Sequence, residues 1–233
     1  VKYVFLLIGD GMGNAQRHLP ELATGQELLM NRLPVSAATQ TASADQPITD
    51  SAAAGTALAA GIRTNNGMVG LDPEGKPVQT IAEYAKKQGY KVGILSSATV
   101  NHATPAAFYA HVLNRIMYDE ISANLIRSGF DFFGGGGLSA SKGSKPAYDP
   151  MREAGYTLVN VQTRQELAST EVARMTYAYR TIGEVLVDRE KDVFTLADVT
   201  AKVIAALDNP EGFFLMVEGA QIDWSCHFNC PAG

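Results

Sequence analysis

Three polar clusters stand where apolar runs give way to loops or helices. In FLLIGDGMG, Phe5 to Gly13, Asp10 closes an apolar run among Gly9, Gly11 and Gly13. In ITDSAAAG, Asp50 and Ser51 precede a run of alanines. In VEGAQIDWSCH, Glu218 ends another apolar run, and Asp223 and His227 follow at i, i+4 spacing. On a helix that spacing sets both side chains on one face, one turn apart. A carboxylate and an imidazole so placed can chelate a divalent metal, and zinc suits that mixture. Asp10 and Glu218 add hard oxygens of the kind magnesium prefers. Ser51 would sit at a helix N-terminus, where free N–H groups and the helix dipole favour negative charge. A serine oxygen presented there can attack phosphorus if a metal lowers its pKa. Ala52 to Ala54 and Gly55 would leave room for the substrate.

Each residue also has a plainer reading. Asp10 could cap the turn that follows it, and Ser51 could be an ordinary N-cap. Asp223 and His227 could form only a surface pair. The segment GDGMGN is not a dinucleotide fingerprint, because Asn14 stands where glycine or alanine is required.

The elements that must position these groups alternate along the chain. KYVFLLIGD, YKVGILSSA and GFFLMVEG read as buried strands, and FDFFGGGG and GYTLVNV as two more. DSAAAGTALAAG reads as a small-residue helix starting at Asp50 or Ser51. VQTIAEYAKKQG is an amphipathic helix ended by Gly89. TPAAFYAHV, MYDEISANLIRSG, VFTLADVTAKVIAALDNPEG and IDWSCHFN also read as helical. Apolar strands separated by helices predict a three-layer α/β/α sandwich with a mostly parallel central sheet. The whole of 1–233 reads as one domain or as a part of something larger. Ligands of such folds collect at the carboxyl ends of strands, where Asp10 and Glu218 lie. Residues 137 to about 150 read as a surface loop, and residues 170 to 192 carry too weak a periodicity to place.

The 233 residues are 46 % apolar and 18 % charged, enough for a sizeable core. The net charge of −5 and the lack of a basic run argue against a sequence-independent grip on nucleic acid. No apolar run reaches the ~20 residues of a membrane-spanning helix. The chain opens directly on strand-like sequence, so any leader is expected to have been removed or never present. Cys226 and Cys230 read as two buried or idle thiols, with a bridge or a metal site as alternatives.

Taken in order, four motifs resemble those of the alkaline phosphatases. They are FLLIGDGMG, ITDSAAAGTALAAGIRTNNGMVGLDPEG, NHATPAAFYAHVLNR and FFLMVEGAQIDWSCH, and the similarity runs from residue 2 to about 229. The resemblance implies a metal-dependent phosphomonoester hydrolase of broad substrate range and alkaline optimum, acting through a phosphoserine. Two zinc ions and one magnesium ion are expected per site. By position, Asp10 would bridge a zinc and the magnesium, and Ser51 would be the nucleophile and a metal ligand. Thr104 and Glu218 would complete the protein part of the magnesium site, and Asp223 and His227 would hold the other zinc. Arg115 would clamp phosphate, Asp50 would orient Arg115, and His102 would tune the magnesium shell.

The family also implies small phosphomonoester substrates, a homodimer, and a periplasmic, secreted or cell-surface location. It places further ligands, an Asp-His pair and a later His, beyond the position of Gly233. An incomplete chain that is weak or inactive alone, with exposed sheet edges and apolar faces, is therefore expected. FNCPAG after His227 departs from the family pattern. Competing readings are a related phosphodiesterase, phosphomutase or sulfatase, and a non-catalytic metal- or phosphate-binding module. A sulfatase is disfavoured because AAAG follows Ser51 in place of the x-P-x-R pattern.

Overall fold

The structure, a computed structural model, describes residues 1–171, the backbone of 176–179, and residues 194–230. The weakly periodic stretch 170–192 falls mostly outside these residues. In chain order the elements are β1 (Tyr3–Gly9), α1 (Asn14–Thr24), α2 (Ser51–Ala60), α3 (Ile81–Lys87), β2 (Lys91–Ser96), α4 (Ala103–Ala106) and α5 (Tyr118–Ser128). There follow β3 (Phe132–Gly135), α6 (Tyr148–Glu153), β4 (Thr157–Asn160), α7 (Arg164–Ser169), β5 (Thr176–Tyr179), α8 (Leu196–Leu207), β6 (Phe213–Gly219) and α9 (Gln221–His227).

Among the described residues six strands form one sheet in the order β1-β6-β2-β3-β5-β4. Every neighbouring pair is parallel. Side-chain alternation divides β6 between two cores. Phe214 and Met216 join Ala52, Ala82, Ile94, Ile121 and Leu125 on one face. Phe213, Leu215 and Val217 join Val199, Val203 and Leu207 of α8 on the other. A β-carbon at Gly93 would lie 2.8 Å from Leu207 and 2.9 Å from Leu215, so the missing side chain lets α8 approach β2. The predicted three-layer α/β/α sandwich is the fold observed.

Three differences from the sequence reading have physical causes. β1 is not buried on both faces. Val4, Leu6 and Ile8 pack on the core, whereas Tyr3, Phe5 and Leu7 are 39, 46 and 71 % exposed. Beside them an apolar cleft of about 640 Å3 opens between Leu7, Met12, Leu196, Ile204 and Val217. An apolar run cannot report whether one or both of its faces are covered.

The second difference is TPAAFYAHV, of which only Thr104–Ala106 lies in α-helix, the helix being Ala103–Ala106. Beyond it Val112 exchanges two backbone hydrogen bonds with Val69, each 3.0 Å, which draws the chain into an extended path and leaves His111 outside the helix. Third, the cysteines are not buried. Cys226 is exposed, Cys230 is half-exposed, and both are free thiols. The loop expected from residue 137 ends in α6, which buries Met151.

Candidate active site

β1 and β6 run side by side, with Ile8 opposite Glu218 and Gly9 opposite Gly219. Their carboxyl ends thus bring Asp10 and Glu218 together although some two hundred residues separate them. Gly11 has φ +61, and a β-carbon there would lie 2.5 Å from Asp223 Oδ1. The glycine therefore admits both the left-handed turn and the close passage of the Asp223 carboxylate.

Asp50, not Ser51, caps α2. It accepts a 3.0 Å hydrogen bond from the Ala53 N–H, as an N-cap aspartate should. Ser51 is thereby freed from the plainer role its position allowed. Its hydroxyl lies 3.2 and 3.1 Å from the two oxygens of Asp10 and donates to that carboxylate. Gly55 lets α2 pack against α4, since a β-carbon there would stand 3.0 Å from that of Ala107.

Arg115 is held from two sides. Its Nη1 donates to Asp50 Oδ2 at 3.0 Å, and its Nη2 donates to His102 Nε2 at 3.3 Å. Burial raises the pKa of Asp50, but the Ala53 N–H, Arg115 and the Gly67 N–H outweigh it and hold the carboxyl below its ordinary value. Burial, and then the Arg115 charge, push the His102 imidazole down to about 4, so it is neutral at physiological pH. Accepting from Arg115 at Nε2 places its proton on Nδ1, which is buried without a hydrogen-bond partner. The ring of Trp224 stands edge-on to His102, centroids 6.1 Å apart.

The carboxylate side is differently provided. Glu218 is fully buried, and burial lifts its pKa to about 7 against the opposing Ser96 hydroxyl. Ser96 donates a very short hydrogen bond to Oε2. Oε1 has no partner, nor has the buried Thr104 Oγ1, which lies near Glu218 outside hydrogen-bonding geometry. Asp10 is raised by burial and then by the Asp223 charge, with Ser51 and Arg115 opposing. Asp223 Oδ2 lies 3.3 Å from His227 Nε2, whose side chain is largely exposed. Ser97, at the end of β2, accepts from the Ala220 and Gln221 N–H groups at 2.8 and 3.3 Å and so fixes where α9 begins.

Two orphaned buried oxygens and two mutually repelling carboxylates fit hard, doubly charged cations. The ligand set is nevertheless partial: among the described residues, no three His, Cys, Asp or Glu side chains gather closely enough to hold a metal alone.

All nine residues singled out from the sequence converge on this region. Ser51 and Asp10 form one hydrogen-bonded pair, Asp50, Arg115 and His102 form a hydrogen-bonded trio, and the adjacency of Asp50 and Ser51 joins the two; Glu218, Thr104, Asp223 and His227 flank them. Sequence reasoning missed Ser96, Ser97 and Trp224. The polar pair ending the apolar run KVGILSS was the available signal for the serines. It also missed Asn66, for which no local signal exists.

Comparison with known proteins agrees. The family described as "Alkaline phosphatase" matches residues 1–131 and 147–233, and the chain belongs to that family. It is 34 % identical over 254 aligned positions to "Alkaline phosphatase 4" of Bacillus subtilis, covering 100 % of this chain and 54 % of that protein. It is 30 % identical to the alkaline phosphatase of Escherichia coli, covering 100 % of this chain and 63 % of the relative. The chain thus spans about half the length of these and other curated relatives it matches. A cold-active alkaline phosphatase from the psychrophile Shewanella superposes with TM-score 0.83 at 32 % identity, over 99 % of this chain and 60 % of that one. The alkaline phosphatase of the Antarctic bacterium TAB5 gives 0.81 at 30 % identity, over 98 and 68 %.

Proposed function

We propose that this chain carries the serine-bearing part of a metal-dependent phosphomonoester hydrolase, with Ser51 as nucleophile and a phosphoserine as intermediate. The observation that carries this reading is the Ser51 hydroxyl seated on both oxygens of Asp10, at the head of α2, with a tethered arginine on the same site.

Asp10 accepts the Ser51 hydroxyl on its carboxylate and so fixes the direction of Oγ. Arg115 spends one N–H of each terminal nitrogen on Asp50 and His102. The second N–H on each remains for two phosphoryl oxygens, which suits the fork geometry of guanidinium. Neutral His102 accepts from Arg115 without repelling it. The positive end of the α2 dipole adds to the attraction for a dianion.

Asp10 and Ser51 would hold one zinc, Asp223 and His227 the other, and Glu218, Thr104 and Asp10 would hold magnesium. Such ions, when bound, supply Lewis-acid stabilisation of charge on serine and phosphoryl oxygens. Two zinc ions and one magnesium ion per site are part of the proposal. One structurally similar alkaline phosphatase, the TAB5 His 135 Asp mutant, is described with magnesium bound in its M3 site. Small phosphomonoester substrates, a homodimeric state and a periplasmic, secreted or cell-surface location are proposed on family grounds. Among the described residues no helix is long and apolar enough to cross a membrane.

A second reading is favoured by the partial ligand set and by the share of relatives the chain spans: metal and phosphate binding without turnover. Hydrolysis of a chromogenic phosphomonoester at alkaline pH, with zinc and magnesium supplied, separates the two. The proposal expects metal-dependent hydrolysis that Ser51→Ala lowers by at least about a thousandfold. Hydrolysis that survives Ser51→Ala contradicts the assignment. Metal and phosphate binding by the wild-type chain without hydrolysis selects the second reading.

A further inference from the structure

We infer that Asn66, which contacts neither Ser51 nor the other groups named above as reacting or metal-binding, is the residue that positions the Ser51 segment. The inference rests on the assignment of Ser51 as nucleophile. The Asn66 side chain grips the backbone on the approach to α2 at two points. Its Oδ1 accepts from the Asp50 N–H at 3.0 Å, and its Nδ2 donates to the Ile48 carbonyl at 2.9 Å. These groups belong to residues two apart, so the amide serves that stretch as one residue of a neighbouring strand would. Asp50 is accordingly extended, φ −100 and ψ 173, immediately before Ser51 begins the helix.

The grip is itself anchored. The Asn66 N–H donates to Asp45 Oδ1 at 2.8 Å, and that oxygen also accepts from Ser43 Oγ at 3.0 Å. The Ala44 N–H donates to the Thr64 carbonyl at 2.8 Å. Gly67, next in sequence, has φ +86. Its carbonyl accepts the Arg115 N–H at 2.8 Å. One two-residue turn therefore fixes the main chain before the serine and the main chain of the arginine. Asn65, its neighbour, points elsewhere and donates to the Pro73 carbonyl at 3.2 Å.

Asn66 thus acts through Ser51 and Arg115 as a positioning residue. Without it, Ile48 and Asp50 lose their partners and the serine oxygen loses its fixed approach. The test compares Asn66→Ala with Asn65→Ala, a control on the same turn, in the full chain. Amide hydrogen exchange at Asp50 is read first and needs no metal; it should accelerate about tenfold or more in Asn66→Ala and stay within about twofold in the control. Hydrolysis in the presence of zinc and magnesium is read second, per folded molecule. There kcat should fall roughly 10- to 100-fold with KM changed less than about threefold, the size expected for a misplaced nucleophile.

Unchanged Asp50 exchange overturns the inference. So does a loss of activity that only follows the loss of folded protein. If Asp50 exchange accelerates but the wild-type chain hydrolyses nothing, the grip on the backbone stands and the phosphatase reading is the part that fails.

Discussion

On the serine side of the site, the protein satisfies its own polar groups with one exception among the residues named, His102 Nδ1. Asp50 accepts from Ala53 and Arg115, Arg115 is tied at both terminal nitrogens, and Ser51 has its acceptor. On the carboxylate side, Glu218 Oε1 and Thr104 Oγ1 are buried without partners, and Asp10 and Asp223 repel each other. Buried polar atoms normally find partners, so the contrast divides the labour. The groups that meet an anion are assembled by protein contacts alone. The groups at the ends of β6 and α9 are arranged for positive charge that the protein does not supply.

The comparison can be broken from either side. Replacing Arg115 by alanine should have the largest effect. It removes two charge-assisted hydrogen bonds, and competitive inhibition by inorganic phosphate should weaken roughly 10- to 100-fold. Lysine at that position should recover only part of the loss, because a point charge cannot reproduce the fork. Full recovery by lysine would show that Arg115 acts through charge and not geometry.

Glu218→Gln probes the other side. Adding zinc and magnesium at about a hundredfold over their dissociation constants should stabilise the wild-type chain by roughly 2–3 kcal/mol in a thermal melt. The variant should lose most of that gain while its metal-free melting temperature stays level or rises, since a buried carboxylate is replaced by a neutral amide. Equal metal-linked stabilisation in both chains would remove Glu218 from the cation side.

The smallest effect is expected at His111, which sharpens the serine side. Its Nδ1 donates to the Gly70 carbonyl at 2.7 Å and its Nε2 to Glu83 Oε1 at 2.9 Å, tying the loop that leads to Arg115 onto α3. The hydrogen bond to Glu83 raises the pKa of His111 above 6.5, with burial opposing. Burial acts to raise Glu83, but His111 and Thr80 outweigh it and hold Glu83 below 4.5. A raised histidine contributes stability in full below its unfolded value and loses it as pH rises through the folded one. A lowered carboxylate contributes above its unfolded value. The pair is therefore at full strength between about pH 4.5 and 6.5. His111→Ala should cost about 1–3 kcal/mol there and progressively less as pH rises above that window. A cost that grows with pH would contradict the imidazolium assignment.

How legible this was depended on whether the information was local. Asp10 and Glu218 were visible because a charge ending an apolar run marks a strand's carboxyl end, where a parallel sheet gathers ligands. Asp50 and Ser51 were visible because cap and alanine run are adjacent. Asn66 was not, because its partners Ile48 and Asp50 lie 18 and 16 residues away and meet it only after the loop closes. His111 read as helical because Ala, Phe and Tyr around it suit a helix, and the bridge between Val69 and Val112 overrode them. An exposed apolar face was expected, but that β1 carries it was illegible for a simpler reason: Tyr3, Phe5 and Leu7 are as apolar as the buried residues they alternate with.

The central claim is that Ser51 takes the phosphoryl group. Acid quenching of the metal-loaded protein during turnover of a phosphomonoester, followed by peptide mapping by mass spectrometry, tests it directly. The account predicts one added phosphoryl group on the peptide containing Ser51, lost in Ser51→Ala. Turnover with that peptide unmodified, or with the label on another residue, would contradict it.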